Sequence, residues 1–505
     1  MTRIHSFVTA AALAAPSVLF SQGDLHPGAS HSDVGTVHFA TSCSAKTTLA
    51  FDRAVALLHS FEFGEARHAF TEVAVTDPNC AMAYWGIAMT RWGNPMAPGN
   101  RPAAQLQQGQ QAVNDAMRVS AHATDRERGY IHAVGELYAD YDHNDQQTRV
   151  IAYEVAMKNL VAKQPVDTEA KIFHAISLTA TASPNDKTYG KQLEAGRILE
   201  ELWVTQPNHP GIAHYIIHTY DFPALADKSR AAAMRYADIA PSAAHALHMP
   251  SHTFTRVGMW DESIRTNARS MHAALDAGSL AEALHAADYT MYAYMQLGNE
   301  AGAKRLMDGL PPIAEKFDPN VVTGAAPGLA GVFALAAIPA RWVLEREAWT
   351  EAAAMEPKVT DFPFTEAMTY FARSLGASHT GDLPRSRVAI DSLASIQTRL
   401  TAKGESYWAE QVAIQRLSAE AWLELAEHHD PQALTMMREA ATREDATEKS
   451  AVTPGPLAPA RELLGDMLMQ LGQRDAALAE YRATLQKEPN RRHSMQRIQR
   501  LAPSA

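Results

Sequence analysis

The chain has 505 residues, of which 46% are hydrophobic and 20% are charged, and its formal net charge at pH 7 is −11. This is the composition of an ordinary globular protein with enough apolar material for a large core. The acidic balance excludes the basic surface typical of nucleic-acid-binding proteins. After the N-terminal region no apolar run reaches about 18 residues, so the sequence predicts no membrane span.

The N-terminus predicts export. Arg3 precedes an apolar run at residues 7–20, and small residues follow it. This order is typical of a secretory signal peptide, which we place at residues 1–21, with a short buried helix as the alternative. The mature protein would then be periplasmic or secreted. Residues 22–44 are rich in glycine, serine and histidine, and they predict a flexible arm in an extended conformation.

From Ala45 onward the apolar residues recur with the period of an α-helix. Short turns marked by proline, glycine or asparagine separate these segments at intervals of about 15–20 residues. No segment of useful length alternates between apolar and polar residues as a strand would. The sequence therefore predicts an all-α protein.

A repeat with a period near 34 residues determines the predicted architecture. It combines an apolar residue and a glycine where two helices cross, a turn glycine, an alanine contact, an aromatic residue and a closing proline. These positions are Leu464, Gly465, Gly472, Ala477, Tyr481 and Pro489 in the last repeat, and Ala66, Phe70 and Pro78 in the first. The pattern resembles the tetratricopeptide repeat (TPR) over residues 45–500. The resemblance implies a right-handed α-solenoid of helix pairs, whose concave groove is the usual surface for a protein or peptide ligand.

Further sequence features resemble a group of exported bacterial TPR proteins of uncharacterised activity. They are the signal sequence, a cysteine in the first repeat, HPGIAHYIIH at residues 209–218 and HMPSHTFTRVG at residues 248–258. This resemblance implies a fold and a compartment, and it implies no reaction.

Changes in composition divide the predicted solenoid. Proline and glycine are frequent at residues 311–330, which we interpret as a linker. The predicted units are a TPR-like solenoid with a histidine-rich groove at 45–310, helical repeats at 331–450 and a C-terminal TPR unit at 451–505.

The chain has two cysteines, Cys43 and Cys80. Each precedes the first helix of one of two adjacent repeats, and such helix starts lie side by side in a solenoid. In an exported chain we expect the pair to be close and to form a disulfide, with two buried free thiols as the alternative.

Histidines are concentrated between residues 209 and 288, in register with the repeat. His214 and His248 are 34 residues apart, as are His218 and His252, and each helix carries its pair at i,i+4. Because residues four apart lie on one face of a helix, each pair directs two imidazoles the same way. Counted back from a turn glycine, His285 and Asp288 occupy the positions that His245 and His248 occupy one repeat earlier. We therefore expect three successive helices to bring these side chains together.

This arrangement predicts a site for a transition metal. The candidate ligands are His214, His218, His245, His248, His252, His285 and Asp288, with the two i,i+4 pairs at its heart. Without cysteine, the donors suit Zn, Cu, Ni or Mn/Fe.

Two other hypotheses remain open. A polar concave groove that binds a protein or peptide needs no metal. A metal-dependent hydrolase would need an open coordination position and a general base, for which Asp288 or Glu282 is available. The sequence favours binding over catalysis, because it contains no GxSxG, P-loop or HExxH motif.

Overall fold

A computed structural model describes residues 33–97, 99–321 and 323–501. The predicted signal peptide, residues 1–21, and the first part of the predicted arm, residues 22–32, lie outside the described residues. Within these ranges the chain forms α-helices, three short 3₁₀ helices and loops, and no strand. The predicted all-α fold is confirmed.

The helices follow one another with short connections. The first eight are α1 Thr48–His59, α2 Phe63–Thr76, α3 Ala81–Trp92, α4 Ala103–Arg118, α5 Asp125–Glu136, α6 Gln146–Lys163, α7 Thr168–Ala180 and α8 Gly190–Thr205. The middle set is α9 Pro210–Thr219, α10 Arg230–Ile239, α11 Ala244–His248, α12 Pro250–Arg256, α13 Trp260–Asp276, α14 Leu280–Leu297, α15 Glu300–Gly309 and α16 Pro311–Lys316. The last nine are α17 Gly328–Leu344, α18 Trp349–Ala353, α19 Pro363–Thr380, α20 Leu383–Ala402, α21 Ser406–Ala426, α22 Asp430–Ala446, α23 Ala460–Gln470, α24 Arg474–Lys487 and α25 Arg492–Leu501.

The helices pack as a solenoid of helix pairs. Successive helices contact each other, and helices two apart, such as α3 and α5 or α19 and α21, also touch. The predicted crossing glycine of the last repeat is explained by packing, since a Cβ at Gly465 would lie 2.6 Å from the ring of Tyr481. Each pair thus buries its apolar stripe against the next, and the core follows the chain along its length.

The predicted linker at residues 311–330 is helical at both ends. It contains α16 and the start of α17, and α17 packs closely on α14. Some of its proline and glycine residues lie in the first turns of these helices, where their backbone constraints are tolerated.

The described part of the predicted arm, residues 33–44, is extended but packed. Val34, Val37 and Phe39 are buried, and the N–H of Thr36 donates to the carbonyl oxygen of Asn208 at 3.0 Å. Burial of these three side chains accounts for the path of this part of the arm.

The two ends of the described chain fold back onto its middle. Helix α1 contacts α9, and α25 contacts α14. The loop at residues 447–459 joins them, because Lys449 reaches Asp221 and Arg341 donates to the carbonyl oxygen of Pro456. The expected concave groove around the histidines is therefore covered and becomes part of the interior.

Cys43 and Cys80 form a disulfide with their Cα atoms 4.8 Å apart.

None of the helices in the described ranges combines the length and apolar character needed to cross a bilayer.

Candidate metal centre

Four helices deliver the predicted ligands. His214 and His218 lie on α9, His245 and His248 on α11, and His252 on α12, while His285 and Asp288 lie on α14. Proline occupies the first turn of both α9 and α12, where its missing N–H leaves no hydrogen bond unmade. None of the seven residues is more than 9% exposed.

The six histidines form two triads rather than one site. The first triad is His214, His218 and His245, and the second triad is His248, His252 and His285. In each triad the candidate ligand atoms lie within 4.8 Å of one another. The two i,i+4 pairs, which were predicted to share the centre of one site, are therefore divided between the triads. The rings of His218 and His252, for example, are 6.4 Å apart and belong to different triads.

The first triad is closed off by aromatic rings. Nδ1 of His214 donates to the carbonyl oxygen of His59 at 2.6 Å, which leaves the lone pair on Nε2. Nε2 of His214, Nε2 of His218 and both ring nitrogens of His245 are buried and have no hydrogen-bond partner in the described chain. The ring of Phe61 lies 4.4 Å from that of His214 and 5.5 Å from that of His245, which excludes water on that side.

In the second triad two imidazoles face each other. Nδ1 of His248 lies 2.7 Å from Oδ1 of Asn267, whose amide nitrogen donates to the carbonyl oxygen of Ser263. Nδ1 of His252 lies 2.9 Å from a carboxylate oxygen of Asp221. Both Nδ1 atoms are therefore donors, and the Nε2 atoms of the two rings are left 3.0 Å apart.

Burial lowers the pKa of the imidazoles at five positions, and neighbouring imidazoles lower it further. These residues are His214, His218, His248, His252 and His285. Two cationic rings in contact would repel each other in a medium of low dielectric constant. The five rings are consequently neutral at pH 7, which is the form that binds metal ions.

Asp288 pairs with an arginine through one oxygen, while its Oδ2 is buried and has no hydrogen-bond partner among the described residues. Its Oδ1 accepts from Nε of Arg341 at 2.9 Å, and both side chains are fully buried. Arg341 also donates to Thr453, Gly455 and Pro456 in the loop at residues 447–459. The histidine register could not reveal this, because Arg341 comes from α17, outside the repeats that carry the histidines.

A third buried cluster contains two histidines and a carboxylate. Glu169 on α7 accepts from Nε2 of His59 at 2.9 Å and from Nε2 of His209 at 2.8 Å. Nδ1 of His59 lies 3.0 Å from the hydroxyl of Tyr215. Although its spacing would admit a metal ion, the carboxylate already occupies the space between the two rings, and we interpret this cluster as structural.

Sequence reasoning missed the acceptors behind the second triad. Asp221 follows His218 by three residues, and Asn267 lies on α13, one helix beyond His252. The only available signal was the position of Asp221 beside a histidine-rich helix. Burial alone would raise the pKa of Asp221, but Lys449 and Arg256 hold it well below its ordinary value.

Comparison with known proteins adds little. No protein family model matches the chain, and no curated protein sequence matches it. Among solved structures it is similar to the APC/C hetero-tetramer Cut9-Hcn1, with a TM-score of 0.34, 11% identity and coverage of 90% of this chain and 76% of that one. It is also similar to Naa15/Naa10 bound to HypK-THB, with a TM-score of 0.21, 12% identity and coverage of 90% and 73%. Both TM-scores are below 0.5, and we draw no conclusion from either likeness.

Proposed function

We propose that this protein binds divalent transition-metal ions through its two histidine triads. The observation that carries the proposal is the 3.0 Å approach of Nε2 of His248 to Nε2 of His252, with both Nδ1 atoms already donating hydrogen bonds. Two neutral imidazoles in these tautomers present lone pairs to each other, which is repulsive. A shared cation removes the repulsion, and two nitrogens bound to one Zn ion at about 2.0–2.1 Å lie about 3.3 Å apart.

A proton between the two rings is the competing explanation. It would make His252 a cation beside Asp221, which favours it. However, Arg256 already donates to that carboxylate at 2.8 Å, and Lys449 lies 3.4 Å from it. A third cation beside the same carboxylate would gain little electrostatic energy, and burial opposes the additional charge on His252. The neutral pair of imidazoles is therefore favoured, and a shared metal ion would remove the repulsion between their lone pairs.

The donor set narrows the choice of metal. Because Asp288 pairs with Arg341, the remaining predicted ligands are all imidazoles. Such a set suits Zn, Cu, Ni or Fe better than Mn, which prefers oxygen ligands. Asn267 and the carbonyl oxygen of His59 hold the ligand rings from behind, as outer hydrogen-bond partners do in established metal sites.

We propose binding rather than catalysis as the role of these centres. The hydrolase hypothesis needs an open coordination position, and aromatic rings close off one side of the first triad. Its two candidate bases are each held through one oxygen, Asp288 by Arg341 and Glu282 by backbone N–H groups.

The decisive experiment is a calorimetric titration of the chelator-stripped full chain with Zn, Cu(II) and Ni, together with the metal content of untagged protein. We expect two saturable sites for at least one ion. Changing His248 and His252 to Ala should remove one site, while changing His428, which belongs to no candidate metal group of the described residues, to Ala should remove none. No saturable site tighter than about 10 μM for any of the three ions would overturn the proposal.

We also propose that the protein works outside the cytoplasm, as its N-terminal residues predict. The disulfide between Cys43 and Cys80 supports this, because such bonds persist mainly in oxidising compartments. Cell fractionation with N-terminal sequencing of the mature chain tests it. A cytoplasmic, uncleaved chain would contradict it.

A protein or peptide partner is the second candidate function. A cleft beside the second triad supports it, since Phe333, Phe364, Tyr407 and Trp408 line its wall and Phe364 stacks on Trp408 at 4.1 Å. Aromatic clefts of this kind bind extended peptides. Affinity capture from the native compartment, repeated with a chelator, separates the two candidates, because a metal-independent scaffold keeps its partner after chelation.

A further inference from the structure

A second pocket opens on the surface, and one residue of its lining, Glu282, lies 3.5 Å from His245 of the first triad. Part of its lining comes from the turn between α1 and α2, the residues before and at the start of α11, and the start of α14. Three carboxylates line it, Glu62, Glu65 and Glu282, and Arg53 is its one lining cation among the described residues. The pocket is therefore acidic.

The carboxylates differ in depth. Glu65 is exposed, Glu62 is partly buried and Glu282 is only 1% exposed. Arg53 is exposed as well, so it lies towards solvent rather than at the inner end. The three acids thus mark a path from the surface into the interior.

Glu282 is held so that one oxygen remains free. Its Oε1 accepts from the backbone N–H groups of Ala325 and Ala326 at 2.8 and 2.9 Å. Gly324 allows this approach, because a Cβ there would lie 2.8 Å from Cγ of Glu282. Its Oε2 is buried and has no hydrogen-bond partner within the described ranges.

The inner end of the path touches the first triad. Oε1 of Glu282 lies 3.5 Å from Nδ1 of His245. Burial and the neighbouring charge of Glu282 raise the pKa of Glu62 to about 8, so the negative charge of the path at pH 7 comes mainly from Glu65 and Glu282. A buried carboxylate oxygen that lacks a donor is a site that attracts a cation.

We propose that Glu65, Glu62 and Glu282 form the entry path by which a divalent metal ion reaches the first triad. This inference rests on the proposed function. The ion meets oxygen ligands first, which replace part of its water shell, and is then transferred to the nitrogen ligands His245, His214 and His218. The acidic mouth also raises the local concentration of cations and hence the rate of capture.

The test is the rate of metal uptake in a chain that keeps only the first triad. Full-length protein with His248 and His252 changed to Ala is stripped with chelator and mixed with Zn²⁺ or Co²⁺ in a stopped-flow instrument. At pH 7 Glu282→Gln should slow uptake at least about tenfold, and Glu62→Gln should slow it less, because the Glu62 carboxyl group is already mostly protonated. Glu65→Gln should slow it less, because Glu65 is exposed and its charge is screened. Glu72→Gln, on the same helix but outside the pocket, is the matched control and should keep the parent rate.

The outcomes distinguish the two proposals. Uptake at the parent rate in Glu282→Gln overturns the entry path and leaves metal binding intact. A parent chain that takes up no ion overturns metal binding at this triad, and the entry path with it. Glu65→Gln alters only an exposed side chain, so a lower rate in that variant is not attributable to misfolding.

Discussion

Two buried histidine pairs in this protein differ in where their hydrogen-bond acceptors lie. His59 and His209 share Glu169, which accepts a hydrogen bond from each ring. His248 and His252 approach each other directly, with Nε2 atoms 3.0 Å apart, and their hydrogen-bond acceptors, Asn267 and Asp221, lie behind them. In the first cluster the carboxylate is between the imidazoles, and in the second the acceptors are on the outside.

The position of the acceptor decides the chemistry. An acceptor between two rings turns both Nε2–H groups inwards and satisfies them, so the cluster is a structural crosslink. Acceptors on the outer Nδ1 atoms turn both lone pairs inwards, which suits a shared cation. Histidine count and burial are similar in the two clusters and do not separate these cases.

The largest effect is expected from a substitution in the structural cluster of His59, His209 and Glu169. Glu169→Gln leaves one ring N–H facing an amide NH₂ group in the interior, and we expect the free energy of unfolding to fall by about 3 kcal/mol. Metal stoichiometry should stay unchanged. Chemical denaturation and metal titration of the same variant measure both quantities.

The control is another carboxylate paired with histidine. Glu72 pairs with His68 on the surface, and both side chains are more than 60% exposed. Glu72→Gln should change stability by less than about 0.5 kcal/mol. Loss of a metal ion in Glu169→Gln would show that our distinction between the clusters is wrong.

A smaller effect is expected behind the second triad. Asn267→Leu removes the acceptor for Nδ1 of His248 while keeping a similar volume, so the ring loses its fixed tautomer. We expect the metal affinity of one site to fall by about 10–100-fold and that of the other to stay unchanged. Asn267→Asp, which keeps an acceptor, should restore binding, and equal affinity in the leucine variant would refute a positioning role.

The smallest effect is expected at His493, a charged histidine that lies beside several carboxylates. Burial alone would lower the pKa of His493, but Glu462 and Asp466 outweigh it and raise the value to about 9, against repulsion from Arg497. Glu347 also lies within 3.8 Å. The protonated form therefore stabilises the fold fully below about pH 6.5, and this contribution is lost as pH rises through about 9.

We expect stability to fall by about 1–2 kcal/mol over that window, because the side chain is 16% exposed and solvent screens part of the interaction. Denaturation curves at pH 6, 7.5 and 9 measure it. His493→Gln should flatten the profile, whereas a profile of unchanged slope in that variant would assign the dependence to other groups.

The sequence predicted the fold well because helix period and repeat spacing are local. It also identified all six histidines of the two triads, since the 34-residue register places them on neighbouring helices. It could not divide them into two triads, because that depends on side-chain directions around the short helices α11 and α12, which meet at Met249 and Pro250.

Long-range partners account for the remaining errors. The ion pair of Asp288 with Arg341 was not predicted, because Arg341 lies 53 residues further along the chain. The open groove was predicted from the usual shape of a solenoid, and the structure covers it with α1 and with the loop at residues 447–459. Nothing in a repeat register specifies contacts between distant repeats.

The covered interior also has a consequence for the order of assembly. The carbonyl oxygen of His59 and the side chain of His214 are 155 residues apart in the chain, Lys449 and Asp221 are 228 apart, and Tyr292 and Glu488 are 196 apart. Most repeat proteins rely on neighbouring contacts, so they can grow or fray from one end. Here the contacts around the histidines join segments far apart in the chain, so this interior closes only late in folding, after those segments have been synthesised.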